Sequence, residues 1–240
     1  MKHLLWIIIP LFLLSCEEQG KPEKSKKPRN GVYETFREGK LYSKVNYKDG
    51  KRHGLAQNFY PDGKVKVEYN YKNNVKEGPF RHYYENGKVY QEVEYLEGVM
   101  HGIERKYYET GALLSEMPWK QGRPGKGLKE YTREGKLKKK IPKIVVEEDN
   151  TAALDGQVLV TFKLDKKFKD MDFYRGFLDE DGFLTENYED QWLGSKKAKF
   201  ERFVPRGGFL METMQVVVKV KTRSRNYYVL EKEYNLAVNN

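Results

Sequence analysis

A 24-residue ruler runs through the first half of this chain. Gly39, Gly63, Gly87, Gly111 and Gly135 stand 24 apart, and Gly50, Asn74, Gly98 and Gly122 form a second track at the same step. Asn is the other residue that tolerates the left-handed backbone region. The tracks interleave at spacings of 11 and 13, and the dipeptides Asp49-Gly50, Asp62-Gly63, Asn73-Asn74 and Asn86-Gly87 fall on them. Such dipeptides between alternating apolar runs mark β-hairpins. Each unit therefore reads as one hairpin, and successive hairpins as a meander over residues 31–140.

Side chains keep the same step. Tyr47, Tyr71, Tyr95 and Trp119 form one aromatic track, and Tyr60, Tyr84 and Tyr108, led by Phe36, form another. A third runs Phe59, Tyr83, Tyr107 and Tyr131, beside a carboxylate track of Glu68, Glu92 and Glu116 that begins as Lys44. Equivalent residues two strands apart predict aromatic ladders on one face, and the first two tracks are the candidate binding ladder. The glutamates read as ladder residues paired with cross-strand Lys or Arg. A lone hairpin is marginal in water, so the array must be continuous.

The pattern Tyr83-Tyr84-Glu85-Asn86-Gly87-Lys88-Val89, followed by Glu92, Tyr95 and Gly98, resembles the bacterial MORN repeat variant. Proteins labelled YwqK-like antitoxins carry that variant. The resemblance covers about four and a half units and implies the hairpin array. Such arrays serve many roles, and the antitoxin label implies a third role, immunity against a toxin.

The first residues read as an address. Met1-Lys2-His3 is followed by an apolar stretch of eleven residues, Leu4 to Leu14, ending in Leu13-Leu14-Ser15-Cys16. That length suits the core of a signal peptide and falls short of a membrane span. The last four residues resemble a bacterial lipobox, which implies cleavage before an acylated Cys16. Cys16 is the only Cys in the chain, which excludes a disulfide framework and a CxxC metal site. Glu17 follows it, so the outer membrane is the expected location. The organisation is a signal peptide at 1–15, a lipidated Cys and flexible tether at 16–30, repeats at 31–140 and a second domain at 141–240.

The ruler stops after Gly135, and Ile141-Pro142 marks the boundary. Six strand-like runs follow, with turns at Asp155-Gly156, Asp181-Gly182 and Gly207-Gly208. They predict an immunoglobulin-like β-sandwich, so the fold class is all-β throughout. Acidic residues Asp179, Glu180, Asp181, Glu186, Glu189 and Asp190 do not follow the EF-hand spacing and read as a turn.

Residues 31–140 carry 23 Lys and Arg against 15 Asp and Glu, whereas residues 141–240 carry 16 against 17. Lys on strands guards against edge pairing, and the run 136–140 reads as a solvated final strand. None of the common catalytic motifs is present. His53 and His101 are repeat positions too far apart to share a metal. The expectation is no enzyme, no cofactor and no nucleic acid. It is instead a lipid-anchored outer-membrane interaction protein, an accessory subunit of an envelope assembly that meets membrane lipid through Cys16. A polysaccharide-binding module is the second reading, with Tyr47, Tyr71, Tyr95 and Trp119 as its platform.

Overall fold

The computed structural model describes residues 27–240; Cys16 and the stretches read from sequence as a signal peptide and, for the most part, a tether lie outside them. The repeats build one sheet. Its strands are β1 (Gly31–Arg37), β2 (Lys40–Lys48), β3 (Lys51–Phe59), β4 (Val65–Lys72), β5 (Val75–Lys76) and β6 (Gly78–Tyr83). It continues with β7 (Val89–Leu96), β8 (Val99–Tyr107), β9 (Leu113–Lys120), β10 (Arg123–Pro124) and β11 (Lys129–Glu130). The long strands pair antiparallel in sequence order, as the hairpin reading requires, with short β5 beside β6 on β4 and short β11 beside β10 on β9.

The two glycine tracks are two kinds of turn. On the track through Gly50, both central residues have positive φ: Asp49 and Gly50, Asn73 and Asn74, Glu97 and Gly98, Gln121 and Gly122. That is the two-residue type I′ turn, whose twist matches the strands it joins. From Gly63 onward the loop on the other track has three residues, whereas its first turn, Glu38-Gly39, is a further two-residue one with both φ positive. Tyr60 N–H donates to Lys64 O and Gly63 N–H to Tyr60 O, and the set recurs at Tyr84, Tyr108 and Thr132. Only the last loop residue, glycine, is left-handed there. The spacings of 11 and 13 are thus alternating loop chemistries. Arg29 and Asn30, placed by sequence at the end of the tether, belong to the array instead: Arg29 O accepts from Gly50 N–H and Asn30 Oδ1 from Asp49 N–H.

Strand alternation splits the aromatic tracks between two faces, because Phe59 and Tyr60, or Tyr83 and Tyr84, are neighbours in the chain. The single-face ladder is corrected accordingly. One face carries Tyr83, Tyr107 and Tyr131, whose hydroxyls donate to Glu68, Glu92 and Glu116. A row of alternating charge crosses nine strands there: Glu34, Lys44, Gln57, Glu68, Arg81, Glu92, Arg105, Glu116 and Lys129 are successive register partners. Its ion pairs, such as Arg105 to Glu116 at 3.4 Å, are solvent-facing and individually weak. Their value is register, because a one-residue slip would move every charge to the apolar face.

Successive units are also strutted. The hydroxyls of Tyr60, Tyr84 and Tyr108 donate to the carbonyls of Tyr83, Tyr107 and Tyr131 at 2.6, 2.7 and 2.8 Å. This part of the candidate binding ladder is therefore engaged in holding units together. Tyr84→Phe should cost about 0.5–1.5 kcal/mol in urea unfolding, the worth of one hydrogen bond.

The second domain is a sandwich of two sheets. Its elements are β12 (Ile144–Asn150), the short helix α1 (Ala152–Asp155), β13 (Gln157–Leu164), β14 (Met171–Arg175), β15 (Trp192–Gly194) and β16 (Ala198–Phe203). Two long strands, β17 (Phe209–Lys221) and β18 (Tyr227–Asn239), complete it. The strand orders are β12-β13-β16 and β15-β14-β17-β18. Read in chain order, these are the A-B-E and C′-C-F-G arrangements of an immunoglobulin-like sandwich. Val158, Val160 and Phe162 of one sheet meet Phe173, Val216, Val218 and Val220 of the other in a common core.

Candidate interaction surface

The apolar face of the repeat sheet has two fates along its length. At the C-terminal end the sandwich covers it. Met117 is fully buried with Leu128 against Leu178, Leu184, Val217 and Val229, and Trp119 packs edge-on to Tyr227 at 6.3 Å. Val217 points away from the sandwich core, so the outer face of the four-stranded sheet is what docks. Gly125 forms a β-bridge to Phe183, and a Cβ there would lie 2.6 Å from the Phe183 ring. Only glycine permits that approach. Lys120 pairs with Asp179 and Asp181, and Lys126 with Glu231 at 2.6 Å. The Asp179 carboxyl also accepts from the Phe183 and Asp181 main-chain N–H groups, so the acidic stretch is a turn that receives a repeat lysine.

A buried polar network lies under this junction. Glu104 and Lys106, 3 % and 5 % exposed, stand 3.3 Å apart on β8. Glu104 accepts from Gln91 and from Trp119 Nε1. Lys106 donates to Asn226 Oδ1 at 2.8 Å and to Arg225 O at 3.2 Å. Asn226 and Thr222 in turn donate to Glu130. In the two preceding units the Glu104 position holds Ala56 and Phe80, and the Lys106 position holds Asn58 and His82. The repeat breaks its own rule at the unit that must meet the second domain.

Away from the junction the same face is open and aromatic. Tyr71, Tyr69, Phe80 and Tyr95 form a continuous strip, with ring centroids 6.2, 5.0 and 5.8 Å apart. Lys76 lies over both Tyr69 and Tyr95, at 4.4 and 4.8 Å, and Arg52 lies over Tyr71. Tyr47 meets Tyr33 edge-on at 6.3 Å further along. Phe80 is buried, and the tyrosines are half-buried.

Each member of the first track faces a left-handed glycine across the sheet: Gly31 opposite Tyr47, Gly54 opposite Tyr71, Gly78 opposite Tyr95 and Gly102 opposite Trp119. The ring covers the strand where no side chain stands. Tyr47, Tyr71 and Tyr95 thus line the open part of the face, whereas Trp119 is drawn into the domain contact. Sequence reasoning missed Tyr69, Phe80 and Lys76, which join the track members into a strip. The signal was their position two residues along the strand, or one hairpin over, from a track aromatic.

On the opposite face, burial and then the adjacent carboxylate push the phenols of Tyr83 and Tyr107 up to about 12. The fold favours their protonated form. Their stabilising contribution is therefore complete below the ordinary phenol value near 10 and is lost as pH rises towards 12. The urea midpoint should fall across that window, and Tyr83→Phe with Tyr107→Phe should flatten the fall.

No group of three or more His, Cys, Asp or Glu side chains is arranged to hold a metal ion among the described residues. His53 and His101 sit on β3 and β8 with three long strands between them.

Comparison with family models matches the MORN repeat variant at residues 52–73, 76–97 and 100–121. Each match begins beside one type I′ turn and ends at the next, so each spans one observed hairpin. The chain carries three consecutive MORN repeat variant units. No curated protein matches it significantly.

Proposed function

We propose that this chain is a lipid-anchored interaction protein of a bacterial envelope. In this reading it holds a partner protein against the aromatic strip of its repeat face. The carrying observation is the strip itself: four joined rings, flanked by Lys76 and Arg52, on the part of the apolar face that the second domain leaves open. Aromatic and Arg-rich patches of this kind are where binding energy concentrates. The sequence Leu13-Leu14-Ser15-Cys16 supplies the anchor, with the outer membrane as the location. Acyl chains contribute about 0.8 kcal/mol per buried methylene, enough for stable anchoring when two or more are present. An accessory subunit of a complex for outer-membrane protein insertion, secretion or uptake fits this design, and the YwqK-like resemblance adds immunity as an alternative role.

Two measurements test the parts separately. Radiolabelled palmitate should enter the wild-type chain and not Cys16→Ser. Gentle detergent extraction with crosslinking should recover one discrete partner with wild type and much less with Tyr71→Ser/Tyr95→Ser. A lone monomer under those conditions would overturn the interaction role. The open tyrosines also support a polysaccharide as occupant. Retention of the double-serine variant's complexes, but loss of its binding to cell-wall polysaccharide, would favour that reading.

A further inference from the structure

Three segments far apart in sequence meet at one end of the second domain. They are residues 138–140 after the repeats, 166–170 between β13 and β14, and 221–225 between β17 and β18. Together they enclose a cleft of about 1180 Å³ lined by nine Lys and Arg against two carboxylates, Glu130 and Asp170. Three of the cations are neutralised: Lys138 by Glu130 at 3.5 Å, Lys221 by Asp170 at 3.5 Å and Lys166 by Asp165 at 4.0 Å. The other six are Lys139, Lys140, Lys167, Lys169, Arg223 and Arg225. All six are solvent-exposed, and none has an ion-pair partner within 4.0 Å among the described residues.

This is charge segregation. Residues 141–240 carry 16 Lys and Arg against 17 Asp and Glu, yet six of those cations and only one of those carboxylates, Asp170, line the cleft. Like charges around one cavity repel, and an anion relieves that cost.

The turn at 222–226 adds a second observation. Thr222 N–H donates to Asn226 O and Arg225 N–H to Thr222 O, the same pattern as the three-residue loops of the repeats. Those loops place Gly63, Gly87, Gly111 and Gly135 at the left-handed position; this one places Arg225 there, at φ 57°. A non-glycine residue in that region is strained. The sequence keeps an arginine side chain where glycine would be easier. The turn is also held from beneath by Lys106 and Glu130, so Arg223 and Arg225 are presented from a fixed base.

We propose that this cleft binds a ligand carrying several clustered phosphate groups. A phosphate monoester brings nearly two charges and three acceptor oxygens, whereas a carboxylate brings one charge and two oxygens. About three phosphates therefore balance six cations within one cleft. The source is either a lipid headgroup with more than one phosphate or a soluble oligophosphate. The concave shape suits a discrete group more than a flat surface.

The test uses the full chain as Cys16→Ser. Calorimetric titration compares tripolyphosphate with citrate, and flotation compares phosphatidylcholine vesicles with and without cardiolipin. Tripolyphosphate should bind at least about tenfold more tightly than citrate. Lys139→Glu/Lys167→Glu/Arg223→Glu should abolish that binding. Arg225→Gly should weaken it while holding or raising Tm, an outcome that misfolding cannot produce. Flotation with cardiolipin in addition assigns the lipid source; tripolyphosphate binding alone assigns the soluble one. Equal affinity for citrate, no binding of either anion, or full binding by the triple variant would overturn the proposal.

Discussion

Lys106→Met is expected to destabilise the protein by about 3–5 kcal/mol, the cost of stripping one partner from a buried ion pair. Glu104 would keep its Gln91 and Trp119 donors but lose its cation. Asn226 Oδ1 and Arg225 O would lose their common donor in a site sealed from water. The effect reaches across the junction, because the lysine is on the repeats and two of its partners are on the β17–β18 turn. The double variant Glu104→Phe/Lys106→His restores the residues of the preceding unit, Phe80 and His82. It should leave the hairpin able to form while undocking the domains. Urea unfolding followed by tryptophan fluorescence and circular dichroism should then separate into two transitions, where wild type should show one. A single unshifted transition would contradict the docking role of the network.

Phe80→Ala is expected to cost about 3–5 kcal/mol, the usual range for truncating a buried aromatic. Phe80 is 9 % exposed and is the ring that Tyr69 and Tyr95 both touch. Its loss opens a cavity and breaks the strip at its centre, so stability and partner binding should fall together. Leu55→Ala is the control: Leu55 is 38 % exposed on the other face, and its removal should stay within about 0.5 kcal/mol. Denaturant midpoints of the two variants, measured side by side, check both values.

The hairpins were legible because turn chemistry is local. Asp49-Gly50 and Asn73-Asn74 declare their φ angles in two letters, and the register of the sheet follows from them. The pairing of Glu92 and Glu116 with Arg81 and Arg105 was equally local, one strand away in each case. The six long strands of the sandwich showed through their alternation, whereas the three-residue β15 is too short to carry a pattern.

What stayed hidden depends on contacts between distant segments. Lys106 and Asn226 are 120 residues apart, and nothing in either neighbourhood announces the other. The trace was indirect: Glu104 and Lys106 interrupt tracks that hold Phe80 and His82 one unit earlier. Trp119 continued the Tyr47, Tyr71 and Tyr95 track faithfully, and only its place at the end of the array made it a docking residue. The run 136–140 looked like a solvated strand because its companions, 166–170 and 221–225, are brought to it by the sandwich.

The open aromatic face is the proposed contact surface. Site-specific photo-crosslinking in native membranes tests this most directly, with benzoylphenylalanine at Tyr71, at Tyr95 and, on the opposite face, at Arg81. A discrete adduct from Tyr71 and Tyr95 with none from Arg81 is the result predicted. No adduct from the strip, or the same adduct from Arg81, would contradict it.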